Sequence, residues 1–163
     1  MEERRARTAL AAARALGRPV TVRYRADGRP ETDAAAALSA AHGAGVTLCV
    51  ASGTPVSCDV EAVADRSEQD WAGLLGRHHG LAGLLARELG EDPGLAATRV
   101  WTAAECLRKA GLPDDAPLTA AGRPRPGWAV LASGGSRVAT FATTLRDGPG
   151  PVVFAVLTGE GRS

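Results

Sequence analysis

The chain has 163 residues, of which 45% are hydrophobic, and this is the size and composition of one ordinary globular domain with its own core. Nineteen basic and eighteen acidic side chains leave a formal net charge of +1, which excludes a general electrostatic attraction to nucleic acid or to an anionic membrane. Three cysteines without a C-x-x-C spacing favour buried thiols in a reducing compartment, so we expect a cytoplasmic protein; they are Cys49, Cys58 and Cys106.

The first predicted elements are a helix and a strand. Residues 3–16 have the composition of a helix, and Gly17 followed by Pro19 supplies the usual stop signals. Arg14 interrupts the apolar part of this segment, so we interpret it as an amphipathic helix and not as a signal peptide or a membrane span. The segment VTVRYR, residues 20–25, alternates apolar and polar side chains as a half-buried strand does, and a turn-like Asp-Gly pair follows it.

Two further strands are predicted in the apolar runs VTLCVA (46–51) and PVSCDVE (55–61). Only Ser52-Gly53-Thr54 separates them, and such a short connection favours a hairpin in which these two strands pair with each other. His42 stands before them, next to a Gly-Ala-Gly turn, and its local context alone is typical of a solvated loop histidine.

The second half begins with large apolar residues at three- and four-residue steps, which predict two short helices broken near Gly76 to Gly80. These residues are Trp71, Leu74, Leu75, Leu81, Leu84, Leu85 and Leu89. We interpret His78 and His79 as exposed helix ends without a functional role. A third helix is predicted to contain VWTAAECLRKAG, which starts at Val100, and to end at Gly111-Leu112-Pro113.

Three extended runs complete the chain, in residues 128–132, 137–145 and 151–158. The overall pattern predicts one α+β domain over residues 1–163, in which helices pack on largely antiparallel strands.

The strand PVSCDVE carries two acids on one face. Side chains alternate along a strand, so Asp59 and Glu61 point one way, while Cys58 and Val60 point the other. Adjacent carboxylates repel each other, and a hard cation such as Mg²⁺ relieves that repulsion. The alternative is a strand end with two solvated acids.

The third predicted helix offers another acid and the one lysine of the chain. Trp101, Glu105 and Lys109 lie four residues apart and so form one stripe. The alternative is an ordinary surface Glu–Lys pair worth roughly 0.2 to 0.5 kcal/mol. All other cations are arginine, which favours a site at Lys109 where a compact ammonium must approach a phosphate oxygen closely.

These motifs together resemble the 4′-phosphopantetheinyl transferase family of the larger, two-halved type. D-V-E on a strand is followed by leucine-striped helices and then by W-T-x-x-E-x-x-x-K. Gly28-Arg29-Pro30 resembles the family's G-[K/R]-P turn, Leu38 to His42 resembles its L-S-x-S-H segment, and VVFAVLTG resembles its last apolar strand. The resemblance covers the chain from about Arg4 to Thr158.

The resemblance implies a fold of two pseudo-related halves, about 1–61 and about 62–163, with a shortened first half, such as the C-terminal domain of a polyketide synthase. It implies transfer of the phosphopantetheine arm of coenzyme A to a serine of an acyl or peptidyl carrier protein, which activates a polyketide, fatty-acid or nonribosomal peptide synthase. Mg²⁺, or Mn²⁺ in its place, would be bound by three carboxylates: Asp59, Glu61 and Glu105.

The resemblance also implies roles for the other site residues. Glu105 would act as general base, and Lys109 would stabilise charge on a phosphate oxygen. The coenzyme's phosphates would be held by Lys109 and by three residues of the first half: Arg29, Ser39 and His42. An acidic carrier protein would dock on the helices between Trp71 and Leu89, with complementary charge from Arg66, Arg77 and Arg87.

Two positions depart from the family pattern. Ala41 stands where a second serine is common, and Ala104 stands where a lysine often precedes the metal-binding glutamate. These departures leave an alternative open, a catalytically silent relative that serves as a docking or structural domain of a synthase. The sequence leaves the oligomeric state open between a monomer and a self-associated form.

Overall fold

The computed structural model describes residues 1–159, which fold into four helices and nine strands. The helices are α1 (Glu2–Leu16), α2 (Glu68–Leu75), α3 (His79–Leu89) and α4 (Pro93–Lys109), and a short 3-10 turn joins α2 to α3. The strands are β1 (Val22–Tyr24), β2 (Pro30–Thr32), β3 (Ala37–Gly43), β4 (Val46–Ser52), β5 (Val56–Ala62), β6 (Thr119–Gly122), β7 (Trp128–Ser133), β8 (Ser136–Thr144) and β9 (Pro151–Thr158).

The strands of this part of the chain form three antiparallel sheets. Two are hairpins, β1–β2 and β3–β4, and the third has five strands in the order β5-β9-β8-β7-β6. Helix α4 packs on one face of the five-stranded sheet, and α1 packs on β4. The prediction of an α+β fold with largely antiparallel strands is therefore confirmed.

The predicted hairpin between residues 46–51 and 55–61 is wrong. Strand β4 pairs with β3, and β5 pairs instead with β9, with Val60 opposite Phe154. The true hairpin turn is Ala44-Gly45, where both residues have a positive φ, as a two-residue turn of this kind requires. His42 accordingly lies in strand β3 and not in a loop.

The β3–β4 hairpin is held on the five-stranded sheet by close backbone contact with β5. A Cβ atom on Gly43 would overlap the carbonyl oxygen of Val60, so only glycine allows β3 to approach β5 this closely. The Cys58 N–H donates to Ser39 Oγ at 3.1 Å across the same junction. Strand β5, although part of the first half, therefore joins the sheet of the second half and carries Asp59 to the boundary between them.

The main core lies between α4 and the five-stranded sheet. The cap of α4 is Asp92, whose carboxylate accepts from the N–H groups of Gly94 and Leu95, and Pro93 occupies the first helical turn. The apolar side chains packed between helix and sheet include Val100, Ala103, Leu107, Leu131, Val138, Ala155 and Leu157. Because α4 is anchored along its length, its last turn holds a fixed position beside β5.

Of the cysteines, Cys58 and Cys106 are buried, as expected, whereas Cys49 is half-buried in β4. Burial raises the pKa of the Cys58 thiol to about 11, and it raises the pKa of Cys106 as well. Both thiols therefore stay protonated at neutral pH and act as small apolar side chains of the core.

The interpretation of His78 as an exposed helix end is wrong. His78 is buried at the junction of α2 and α3, and His79 is half-buried. Burial lowers the pKa of His78, and the charge of Arg77 lowers it further, while a hydrogen bond with the Ala116 backbone acts in the opposite direction. His78 is thus a core histidine that is held neutral.

We predict that the domain loses stability as the pH falls below about 6.5, the ordinary pKa of histidine. The folded pKa of His78 is lowered, so below this pH the unfolded chain binds more protons than the folded chain, and unfolding is favoured. Urea-unfolding midpoints at about pH 7.5 and about pH 5.5 measure the loss.

His78→Gln should weaken this pH dependence without abolishing it, because burial also lowers the pKa of His42. An unchanged difference between the two pH values in His78→Gln would contradict the assignment.

Candidate functional site

Of the predicted site residues, Asp59 and Lys109 meet where β5 passes the last turn of α4. Asp59 is only 6% exposed, and its Oδ1 accepts a hydrogen bond from Lys109 Nζ at 2.6 Å. The same ammonium donates to the Cys58 carbonyl at 3.1 Å. A residue of the first half and one of the second, fifty positions apart, are thus joined by a charged hydrogen bond.

The negative charge on the second oxygen of Asp59 and on the side chain of Glu61 is less well neutralised than that on Asp59 Oδ1. Among the described residues, buried Asp59 Oδ2 has no hydrogen-bond partner. Burial raises the pKa of Glu61, and the charges of Asp59 and then Glu105 raise it further. A hydrogen bond with Trp101 acts in the opposite direction, because it stabilises the charged form. This edge of β5 therefore carries an excess of negative charge.

Glu105 is engaged by a neighbour on its own helix. Arg108 donates from Nη1 to Glu105 Oε1 and from Nε to Asp114 Oδ1, the latter at 2.9 Å. The Arg108 guanidinium also lies over the Trp101 ring, 5.9 Å from its centroid. With Glu105 held in this way, no three Asp, Glu, His or Cys side chains within residues 1–159 converge on one cation position.

The donor chemistry of the three acids nevertheless fits a hard divalent cation. Carboxylate oxygens are the ligands that Mg²⁺ takes in proteins, usually together with water and substrate phosphate. The unpartnered, buried oxygen of Asp59 and the raised pKa of Glu61 are both conditions that a bound cation would relieve.

A cleft of about 860 Å³ lies on the side of the β1–β2 hairpin and reaches Lys109, but Asp59, Glu61 and Glu105 do not line it. It brings together three of the predicted site residues, Arg29, Ser39 and Lys109. Four cations and two acids line it, so its walls favour an anion; the cations are Arg25, Arg29, Arg108 and Lys109. Apolar side chains of β3, β5 and β9 complete the walls of the cleft.

The arginines of the β1–β2 hairpin are partly neutralised by its own acids. Arg29 Nε lies 3.5 Å from Asp27, and Arg25 Nε lies 3.7 Å from Asp27 and 3.6 Å from Glu31. All four of these side chains are about half exposed, so such pairs contribute little to stability. Both arginines can therefore turn to a ligand in the cleft at small energetic cost.

Ser39 borders the cleft but already serves the fold. Its Oγ accepts the hydrogen bond from the Cys58 N–H, and the residue is buried. A hydroxyl can accept and donate at the same time, so its proton is still available to a ligand oxygen.

His42 does not line the cleft, in contrast to the three residues above. Its Nδ1 lies 2.9 Å from Thr47 Oγ1, and its Nε2 lies 3.2 Å from Thr8 Oγ1. Thr8 donates its own proton to the Arg4 carbonyl, so Nε2 of the imidazole carries the proton donated to Thr8, and Nδ1 accepts from Thr47.

Burial lowers the pKa of His42, and the charges of Arg4, Arg7 and Lys109 lower it further. In this arrangement His42 is a neutral side chain that joins α1 to the β3–β4 hairpin. Its assignment to the coenzyme's phosphates stays a prediction.

The sequence reasoning missed two cleft cations, Arg25 and Arg108. A signal for Arg108 exists, because it lies three residues after Glu105 and so falls beside it on one face of the helix. Arg25 has no comparable signal, since its approach to the cleft depends on strand β2, which the sequence did not predict.

A comparison of the chain with models of known protein families gives no match, and a comparison with curated proteins gives none either. Within residues 1–159, no helix combines the length and the apolar character that crossing a bilayer requires.

Proposed function

We propose that this chain is a Mg²⁺-dependent 4′-phosphopantetheinyl transferase, which moves the phosphopantetheine arm of coenzyme A to a serine of an acyl or peptidyl carrier protein. A serine O–P bond forms as the pyrophosphate P–O bond breaks, and 3′,5′-adenosine bisphosphate leaves. One observation carries the proposal. Lys109 borders the cationic cleft and also binds Asp59, so an anion site and one of the three proposed metal-binding carboxylates meet at a single side chain. Phosphoryl transfer requires this combination of charge neutralisation and alignment.

The cleft is suited to the coenzyme in size and in charge. Its volume of about 860 Å³ falls within the range of sites for large ligands. In the proposed complex Arg29 and Arg25 bind phosphate oxygens, and Ser39 contributes a hydroxyl donor. The apolar part of the wall is available to the pantetheine arm.

Mg²⁺, or Mn²⁺ in its place, would be held by Asp59, Glu61 and Glu105. When bound, the cation would supply neutralisation of the pyrophosphate charge. The unpartnered oxygen of Asp59 and the raised pKa of Glu61 support this assignment.

The residues of the chain would carry the remaining steps. Lys109, which lines the cleft, stabilises negative charge on a bridging or leaving phosphate oxygen with its Nζ. A carboxylate oxygen of Glu105 accepts the proton of the attacking serine hydroxyl, directly or through a water. Arg108 must then leave Glu105, because a carboxylate held in an ion pair is a weaker base.

The carrier protein is proposed to dock on α2 and α3. Arg66 lies over the Trp71 ring, 5.5 Å from its centroid, and Arg77 Nη1 donates to the Asp115 carbonyl at 2.9 Å. Leu74 of α2 is an exposed large apolar side chain. This apolar and cationic surface is complementary to an acidic partner. We place the reaction in the cytoplasm, in keeping with the three free thiols.

The test is to incubate the protein with an apo carrier protein, coenzyme A and Mg²⁺ and to determine the intact mass of the carrier. We expect the mass to increase by one phosphopantetheine group and the increase to disappear when the metal is chelated. Absence of any gain with acyl and peptidyl carriers alike would contradict the proposal.

A second candidate function is a catalytically silent docking domain. The observation in its favour is that two of the three proposed metal ligands already have protein cations as partners, Asp59 with Lys109 and Glu105 with Arg108. Under this alternative a carrier protein binds to the chain, but its mass does not change in the assay above.

A further inference from the structure

Arg108 connects the proposed base to the cleft. Arg108 is one of the residues that line the cleft, and its guanidinium forms ion pairs with Glu105 and Asp114. The side chain is about half exposed, whereas that of Glu105 is largely buried. Arg108 is therefore within reach of a ligand without any movement of the backbone.

The two ion pairs of Arg108 differ in exposure. The side chain of Asp114 is 78% exposed, and a pair of this kind contributes only about 0 to 1 kcal/mol because water solvates both partners well. The pair with Glu105 is a contact with one oxygen of a carboxylate that is 18% exposed. A phosphate group offers the planar guanidinium two parallel, charge-assisted hydrogen bonds, which are stronger than a single contact with a carboxylate oxygen. A phosphate in the cleft would thus compete successfully for Arg108.

We propose that Arg108 exchanges partners on ligand binding: an anion in the cleft draws its guanidinium away from Glu105 and so frees that carboxylate. Glu105 then stands beside Asp59 and Glu61 without a neutralising partner. The inference rests on the proposed function in naming coenzyme A as the anion and Glu105 as the base. Arg108 acts here as a positioning residue, since it works through Glu105.

The test is a double-substitution cycle on coenzyme A affinity, measured by titration calorimetry in metal-free buffer with Glu105→Gln, Arg108→Met and the double variant. Partner exchange predicts that Glu105→Gln tightens coenzyme A binding about two- to fivefold when Arg108 is present, because the competing ion pair is gone. In the Arg108→Met background the same substitution should have clearly less effect. Removal of a negative charge alone would act equally in both backgrounds.

Glu88→Gln is the matched control, because Glu88 is an exposed acid of α3 that does not line the cleft, and it should leave the affinity unchanged. Arg108→Lys keeps the positive charge without the planar fork and should bind coenzyme A less tightly than the wild type. Thermal unfolding of each variant confirms that it is folded.

The same cycle is repeated with inorganic pyrophosphate as the probe. Equal effects of Glu105→Gln in both backgrounds would overturn the partner exchange, and binding of neither anion would overturn both proposals. If the wild type modifies the carrier but Glu105→Gln has the same effect on affinity in both backgrounds, the partner exchange is contradicted and the transferase proposal stands. If the effect of Glu105→Gln on pyrophosphate affinity depends on Arg108, but coenzyme A does not bind, the transferase proposal is contradicted and the partner exchange stands.

Discussion

Arg99→Ala is expected to destabilise the domain by about 3 to 5 kcal/mol, a large part of the stability of a typical domain. Arg99 is fully buried, and its Nε and Nη2 bind both carboxylate oxygens of Glu91, at 2.8 and 2.7 Å. Nη2 also donates to the Gly127 carbonyl and Nη1 to Thr140 Oγ1. Truncation removes all of these donors at once and leaves a largely buried carboxylate without a partner.

Urea unfolding at neutral pH measures the effect, with Arg87→Ala as the control because Arg87 is an exposed arginine of α3. The control should stay within about 0.5 kcal/mol of the wild type. Arg99→Lys should not restore the loss, since one ammonium cannot reproduce the fork that spans Glu91, Gly127 and Thr140. Equal midpoints for Arg99→Ala and Arg87→Ala would contradict the prediction.

The importance of Arg99 extends to the site. The residue lies on α4 and its acceptors Thr140 and Gly127 lie on and beside the five-stranded sheet, so the guanidinium fixes the helix on the sheet. The same helix carries Glu105 and Lys109, one turn apart near its C-terminal end. The position of Glu105, the proposed base, relative to β5 therefore depends on a buried arginine. Arg99 does not line the cleft and forms no ion pair with the three proposed metal ligands.

Periodicity predicted the elements whose partners are close in sequence or whose pattern is strong. Helices α2 and α3, separated near Gly76, and the strands β7, β8 and β9 follow from it. The pairing of β5 with β9 did not, because it joins Val60 to Phe154, and local turn signals carry no information about such distant partners. Gly43-Ala44-Gly45 was predicted as a turn but not as a hairpin turn that pairs β3 with β4, because alanine rarely adopts the positive φ that such a turn requires.

The candidate site was predictable to the extent that it depends on side-chain direction. Alternation along β5 placed Asp59 and Glu61 on one face, and the four-residue step placed Glu105 and Lys109 together. Asp59 and Lys109 come into contact because β5 packs beside α4, and this packing cannot be inferred from local sequence patterns. Arg99 could not be identified at all, since no local sequence feature distinguishes it from the seventeen other arginines of the chain.

Lys109→Met is expected to lower the rate of carrier modification by about a hundred- to a thousandfold, the effect typical of losing one donor to the transition-state charge. Lys109→Arg should fail as well, because the ammonium fits between Asp59 Oδ1 and the Cys58 carbonyl, where a planar guanidinium is too bulky. Arg137→Met is the control, since Arg137 is an exposed cation whose donors, among residues 1–159, meet backbone oxygens of the β7–β8 turn and no acid of the proposed site.

Loss of the lysine also leaves Asp59 buried and unpaired, so reduced activity could come from damage to the fold. The double variant Asp59→Asn with Lys109→Met separates the two effects, because it removes both charges of the pair together. Urea unfolding should show that the double variant regains stability relative to Lys109→Met, since no buried charge is left alone. Carrier modification should stay lost, because neither the carboxylate proposed to bind the metal nor the ammonium proposed to bind phosphate remains. A double variant that regains activity along with stability would show that the pair supports the fold alone.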